Sequence, residues 1–152
     1  MGLWTTAAMV LFLADQWSKT WMQHFLMIGE SYKITDFFNL VLAYNSGAAF
    51  SFLADAGGWQ RPLFGILALI AIVVIAILIA RKSSQKWLCF GLCLVMAGAA
   101  GNAWDRLRIG AVVDFLDFHI GQYHWPAFNV ADICICCGAF LVFFLEFFNS
   151  KR

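Results

Sequence analysis

From Pro62 to Ala80 the chain carries no charged residue. A run of this length and apolarity is long enough to cross the roughly 30 Å hydrocarbon core of a bilayer as a helix. Three further apolar runs share the chain with it, and the spans are expected at about 3–26, 62–80, 87–105 and 130–148. The composition agrees: 62% of residues are hydrophobic and only 12% are charged, about half the charge of an ordinary soluble domain. The few charges fall in clusters between the runs, so the 152 residues read as one integral membrane domain. A net charge of +1 gives nucleic acid no basic surface.

The first run could pass for a cleavable signal peptide, but Asp15, Gln16, Ser18 and Lys19 interrupt it and no small-residue cleavage pattern follows. The third contains Ala97, Gly98, Ala99, Ala100 and Gly101, which let helix backbones approach closely in lipid. Basic residues set the orientation. Arg81, Lys82 and Lys86 lie between the second and third runs and Lys151 and Arg152 end the chain, so these segments and both termini are expected in the cytoplasm. The outer segments, Met27 to Arg61 and Arg108 to Phe128, contain the β-branched and aromatic stretches Tyr32 to Tyr44 and Val112 to Phe118, with a turn at Asn45-Ser46-Gly47. The expected fold is an all-α membrane protein of four transmembrane helices with a small β-sheet and loop region on the outer face.

Counting 1.5 Å per residue from the cytoplasmic ends places Asp15, Asn102 and Asp132 about 18 to 25 Å up their helices. Three helices therefore bring Asp15, Lys19, Asn102, Asp105, Arg106, Asn129 and Asp132 to one depth in the outer half of the membrane, where ionisable groups face the bundle interior and mark function. Asp15 and Lys19, four residues apart, are expected to neutralise each other, and Asp105 to form a scaffolding pair with the Arg106 beside it. Asp114 and Asp132 differ. Each sits among apolar neighbours with no adjacent cation, so burial works against charge on both and proximity would add to that effect. One ionised carboxylate to take a proton from water and one protonated carboxyl to polarise a carbonyl is the arrangement of an aspartic peptidase.

Other chemistries are weaker. Ser46 and Ser51 have no evident histidine partner. His24, His119 and His124 lack ligand-like spacing and are expected to be solvated or interfacial. The five cysteines, in two apolar runs without paired C-x-x-C spacing, are expected to be buried filler, neither metal ligands nor thiolates. A proton conduit would need polar groups through the full thickness, whereas the cytoplasmic halves of the runs are apolar. An assembly subunit using polar residues as helix glue leaves two unpaired aspartates unexplained.

In order, the blocks Asp15-Gln-Trp-Ser-Lys19, Asn45-Ser-Gly-Ala-Ala-Phe50, Gly101-Asn-Ala-Trp-Asp-Arg106, Val112-Val-Asp-Phe115 and Phe128-Asn-Val-Ala-Asp132 resemble the signatures of bacterial lipoprotein signal peptidases (signal peptidase II). The resemblance implies an inner-membrane aspartyl endopeptidase with its active site toward the periplasm. Its implied substrates are diacylglyceryl-modified prolipoproteins, cut N-terminal to the lipidated cysteine, and its surroundings are membrane lipids. No metal or organic cofactor is implied, and a monomer is the default expectation. Asp114 and Asp132 match the catalytic pair. Asn129 and Ala131 match the frame of the second aspartate, and Asn102 and Arg106 match pocket-lining positions. Asp15 and Lys19 match site support, and Asn45 and Gly47 match an outer-loop motif near the substrate backbone. Ala97 departs from the glycine many members carry there, and no basic residues precede the first run. Another intramembrane aspartyl peptidase would not explain five blocks in order.

Overall fold

The computed structural model describes residues 2–47 and 59–149. Its elements run α1 (Gly2–Phe25), β1 (Ser31–Lys33), β2 (Phe38–Asn45), α2 (Gln60–Arg81), α3 (Lys86–Ile109), β3 (Val112–Ile120), β4 (Tyr123–His124) and α4 (Val130–Asn149). The four expected helices and the outer strands are present. The part of the second motif block from Ala48 to Phe50, together with Ser51 and the Lys151-Arg152 tail, lies outside the described residues.

Among the described residues, α2, α3 and α4 are long and apolar enough to cross a membrane. The first helix has the length, 24 residues, but is amphipathic. Its charges turn inward, with Asp15 and Lys19 each 1% exposed, while Met9, Leu13, Trp17 and Trp21 face outward. That inversion of the soluble pattern suits a helix whose outer face meets lipid and whose inner face meets other helices.

The third helix is the centre of the bundle, packing against α1, α2 and α4. Its approach to α4 is backbone-close. A Cβ on Gly98 would strike the Ala131 carbonyl, and one on Gly138 would come within 2.5 Å of the Gly91 carbonyl oxygen. The second helix is held mainly at its C-terminal half, where Ile75 and Ile79 pack with Leu88, Cys89 and Leu92 of α3.

At the other end of the bundle the strands form one antiparallel sheet in the order β1-β2-β3-β4. Gly110 stops α3 in the left-handed conformation (φ 79°), with its N–H on the Arg106 carbonyl, and the chain turns directly into β3. A register shift in β2 between Leu40 and Ala43 lies opposite the stretch from Leu116 to Asp114, a bulge of the kind that re-aims side chains beside functional sites. Met22 and Leu26 of α1 pack with Leu42, Val113 and Phe115, fixing the sheet to the helix end.

Candidate active site

Two layers of carboxylates are stacked where α1, α3, α4 and β3 meet. In the lower layer the Lys19 ammonium lies 2.9 Å from Asp15 Oδ2 and 2.8 Å from Asp105 Oδ2 and donates to Asn102 Oδ1 at 3.0 Å. Three protons meet three acceptors, which satisfies a lysine with no access to water. Gln16 donates to Asp105 Oδ1 at 2.9 Å, and the Val113 N–H reaches Asp105 Oδ2 at 3.3 Å. The partner of Asp105 is therefore Lys19, not the expected Arg106. Neighbouring residues on a helix point in different directions and do not face each other, and Arg106 points elsewhere.

Asp15 also organises the start of α4, its Oδ1 accepting the Ala131 N–H at 2.8 Å. Asn129 precedes the helix and accepts the Asp132 N–H on its side-chain oxygen at 3.0 Å, while Asp132 Oδ2 accepts the Asn129 N–H at 3.2 Å. This reciprocal pair is a capping box with asparagine and aspartate in the two roles. The Asp132 side chain is consequently locked by the helix it begins.

The upper layer has no ammonium group. Asp132 Oδ1 accepts from Asn102 Nδ2 at 2.8 Å. Asp114, 3% exposed on β3, accepts from Asn129 Nδ2 at 2.7 Å and holds a further side-chain hydrogen bond with Asn45. The Asn129 amide also reaches Asn102 Oδ1 at 3.3 Å, so amides connect one aspartate to the other. Desolvation pushes the Asp114 carboxyl up to about 7; the charge of Asp132 adds to the shift, and the bonds from Asn129 and Asn45 oppose it. Near neutral pH this group is poised between acid and base.

Both aspartates line a cavity of about 620 Å³ between α2, α3, α4 and the sheet. Phe64 and Ala68 form one side, the segment Trp125 to Phe128 another, and Cys136 and Cys137 the lower wall. Arg106 closes the top by donating to the Gly47 carbonyl at 2.7 Å and lying 5.5 Å from the Phe64 ring centroid. Gly47 returns its N–H to Asn45 Oδ1 at 2.9 Å. The expected site residues thus converge: Asp114 and Asp132 on the cavity, Asn45, Gly47, Asn102, Arg106 and Asn129 around it, and Asp15, Lys19, Asp105 and Ala131 beneath.

Several expectations change. Cys136 and Cys137 are exposed on the α4 surface, because the cavity wall there faces outward. His119 and His124 lie at the outer surface of the sheet and also have partners: their rings stack at 4.8 Å, and His124 Nδ1 lies 2.9 Å from Asp117, which also accepts from Asn39 at 3.0 Å. Gln16 was missed as a site-support residue, although its place beside Asp15 in a membrane helix is itself a signal.

A membrane helix bundle that presents to one cavity two aspartates, neither of them in a close ion pair among the described residues, has the form of a membrane-embedded aspartic peptidase. The family model described as Signal peptidase (SPase) II matches residues 7–148, and the chain belongs to that family. It is 53% identical to a lipoprotein signal peptidase of Ralstonia nicotianae, over all of this chain and 88% of the other. With one from Paraburkholderia phymatum the identity is 52% over 94% of this chain and 86% of the other. The fold is similar to that of a bacterial membrane enzyme solved by the in meso method at 2.3 Å, with a TM-score of 0.89 and 28% identity, covering 99% of this chain and 90% of that one.

Proposed function

We propose that Asp114 and Asp132 are the catalytic pair, and that the enzyme removes signal peptides from prolipoproteins carrying a diacylglyceryl group, cutting N-terminal to the modified cysteine. The observation that carries this reading is the upper layer: two aspartates on one cavity whose hydrogen-bond donors among the described residues are amides, beside a lower layer already neutralised by Lys19.

Asp132 accepts two N–H donors at the N-terminal end of α4, where the helix dipole favours negative charge. It is the base, taking a proton from a water held between the carboxyls. Asp114, whose charged form is disfavoured by burial, keeps its proton and donates a hydrogen bond to the scissile carbonyl. Attack gives a tetrahedral intermediate. Its collapse passes the proton held on Asp132 to the leaving amine, and Asp114 recovers its own.

The site lies at the sheet end of the bundle, opposite the link containing Arg81, Lys82 and Lys86. With that link in the cytoplasm by the positive-inside rule, the cavity opens toward the periplasm of the inner membrane and both termini are cytoplasmic. A single cysteine at Ser84 in a cysteine-free background should resist membrane-impermeant labelling of intact cells; labelling would reverse the orientation.

A lipid on the substrate cysteine anchors the adjacent bond at the membrane boundary, where Asp114 and Asp132 lie, a gain of proximity rather than of chemistry. The test is cleavage by purified enzyme of matched precursors with and without the diacylglyceryl group. Cleavage of the modified precursor alone is expected. Equal cleavage of both would leave a general membrane aspartic peptidase.

A further inference from the structure

The buried contacts of the second helix with α3 gather in its C-terminal half, and among the described residues its N-terminal half borders a cavity on each side. One side is the catalytic cavity, reached by Phe64 and Ala68. The other is a groove of about 840 Å³ between α1, α2 and α3, walled by Met9, Phe12, Gly65, Leu69, Met96 and Ala100. It extends down α2 from Pro62 to Ile72, about 15 Å at the helical rise. The two spaces share one side chain, Arg106, which lines both and stands beside Phe64 near the start of α2.

We propose that the groove between α1, α2 and α3 binds the acyl chains of the substrate's lipid, so that a bound substrate straddles α2 with its signal peptide in the catalytic cavity and its lipid on the far side. This rests on the reading that the substrate cysteine is diacylated. The scissile bond joins the signal peptide to that cysteine, so the two groups diverge from the bond. The structure offers two spaces that diverge from Arg106. Apart from Arg106, Thr5 and the Trp104 indole, the described residues lining the groove carry no polar side chain, which suits hydrocarbon and disfavours an extended peptide backbone that would leave its amides unpaired.

Bulk lipid competes for the same groove, and apolar burial cannot decide between them because both chains already lie in hydrocarbon. The tether decides it. Once the peptide is in the cavity, its own acyl chains are held at a high effective concentration beside the groove, and their docking is intramolecular. The benefit is tighter retention of the substrate with its cysteine at the dyad, and it grows with the length of chain the groove holds.

Gly65 provides the test. A Cβ added there meets nothing within 4 Å, Gly65 lines the groove, and replacing a helical glycine favours the helix, so Gly65→Phe has room to start its side chain into the groove. Leu69→Trp is a second filling variant, and Leu67→Phe is the control, since Leu67 lines neither space. Purified enzymes are compared on matched lipopeptides with two long or two very short acyl chains, with thermal unfolding recorded for each. Both filling variants are expected to raise KM about tenfold for the long-chain substrate, with much less change for the short-chain one and kcat held. Leu67→Phe should change neither. An equal rise for both substrates would place peptide in the groove, and no rise in either folded variant would leave it to bulk lipid; each overturns the proposal while lipid-dependent cleavage by the wild type stands. Indifference of the wild-type enzyme to the diacylglyceryl group would instead overturn the underlying reading, and this proposal with it.

Discussion

The lower layer, Asp15 and Asp105, and the upper layer, Asp114 and Asp132, contain the same chemical groups in adjoining parts of one bundle, and their partners separate them. The lower carboxylates share one ammonium and receive backbone and side-chain N–H groups from α4, β3 and Gln16. Among the described residues the upper ones receive hydrogen bonds from amides and face a cavity. A carboxylate satisfied by a buried cation is committed to holding helices together. One whose charge is resisted by its surroundings retains a proton it can use. The layers are joined by Asn102, which accepts from Lys19 and donates to Asp132, so the structural charge supports the position of the proposed reactive pair.

The largest effect expected from breaking this division is at Lys19. Lys19→Met leaves two buried carboxylates without their cation and should destabilise the protein by about 3–5 kcal/mol, read as a loss of thermal stability in detergent. Adding Asp15→Asn and Asp105→Asn should restore much of it, because the uncompensated charges are then gone. No recovery would mean that the lower layer holds the bundle by something other than charge balance.

Next is Gly98, whose missing side chain lets α3 meet α4 at Ala131, the residue bonded to Asp15 and adjacent to Asp132. Gly98→Leu forces the helices apart and should cost about 1–3 kcal/mol. It should also lower turnover by disturbing both layers at once. A stable variant with full activity would show that the layers tolerate independent movement.

The upper layer should also show itself in pH dependence. Asp114 is raised from 3.8 to about 7. The stability its protonated form contributes is fully present below about 3.8 and lost as pH rises through about 7. With Asp114 as the acid, kcat/KM should develop an alkaline limb near pH 7 and fall about tenfold per pH unit beyond it. The Asn45 bond lowers the Asp114 value, so Asn45→Ala should move the limb upward. Because the aspartates interact, the observed limb belongs to the pair. An unchanged limb in the variant would remove Asn45 from the proton balance.

The smallest effect is expected for the exposed pair of Lys82 and Glu146, 3.3 Å apart at the far end of the bundle. Lys82→Ala should change stability by less than about 1 kcal/mol. A loss as large as that of Lys19→Met would undo the contrast between buried and exposed pairing.

Much of this was legible in the sequence. Long apolar runs revealed the helices, and depth counting brought Asp15, Asn102 and Asp132 to one level because the helical rise is regular. The i,i+4 spacing of Asp15 and Lys19 announced their contact. Asp105 was misread because adjacency in sequence is not proximity on a helix: the cation that reaches it comes from another helix. The Asp117, His124 and Asn39 cluster was hidden for a related reason, since strand register, not spacing, brings Asn39 opposite Asp117. The groove beside α2 was also out of reach, because an apolar run gives no sign of where its neighbours fail to touch it.

The most direct test measures cleavage of a lipid-modified precursor and thermal unfolding on the same preparations of Asp114→Asn, Asp132→Asn and Asp105→Asn. The first two should lose activity by about a thousandfold or more while unfolding close to the wild-type temperature, with a small deficit at Asp132 for its capping bond. Asp105→Asn should instead lose stability, with activity falling only as folded enzyme is lost. Substantial turnover in either of the first two, or an Asp105 variant that is fully stable yet inactive, would contradict the assignment of the reactive pair.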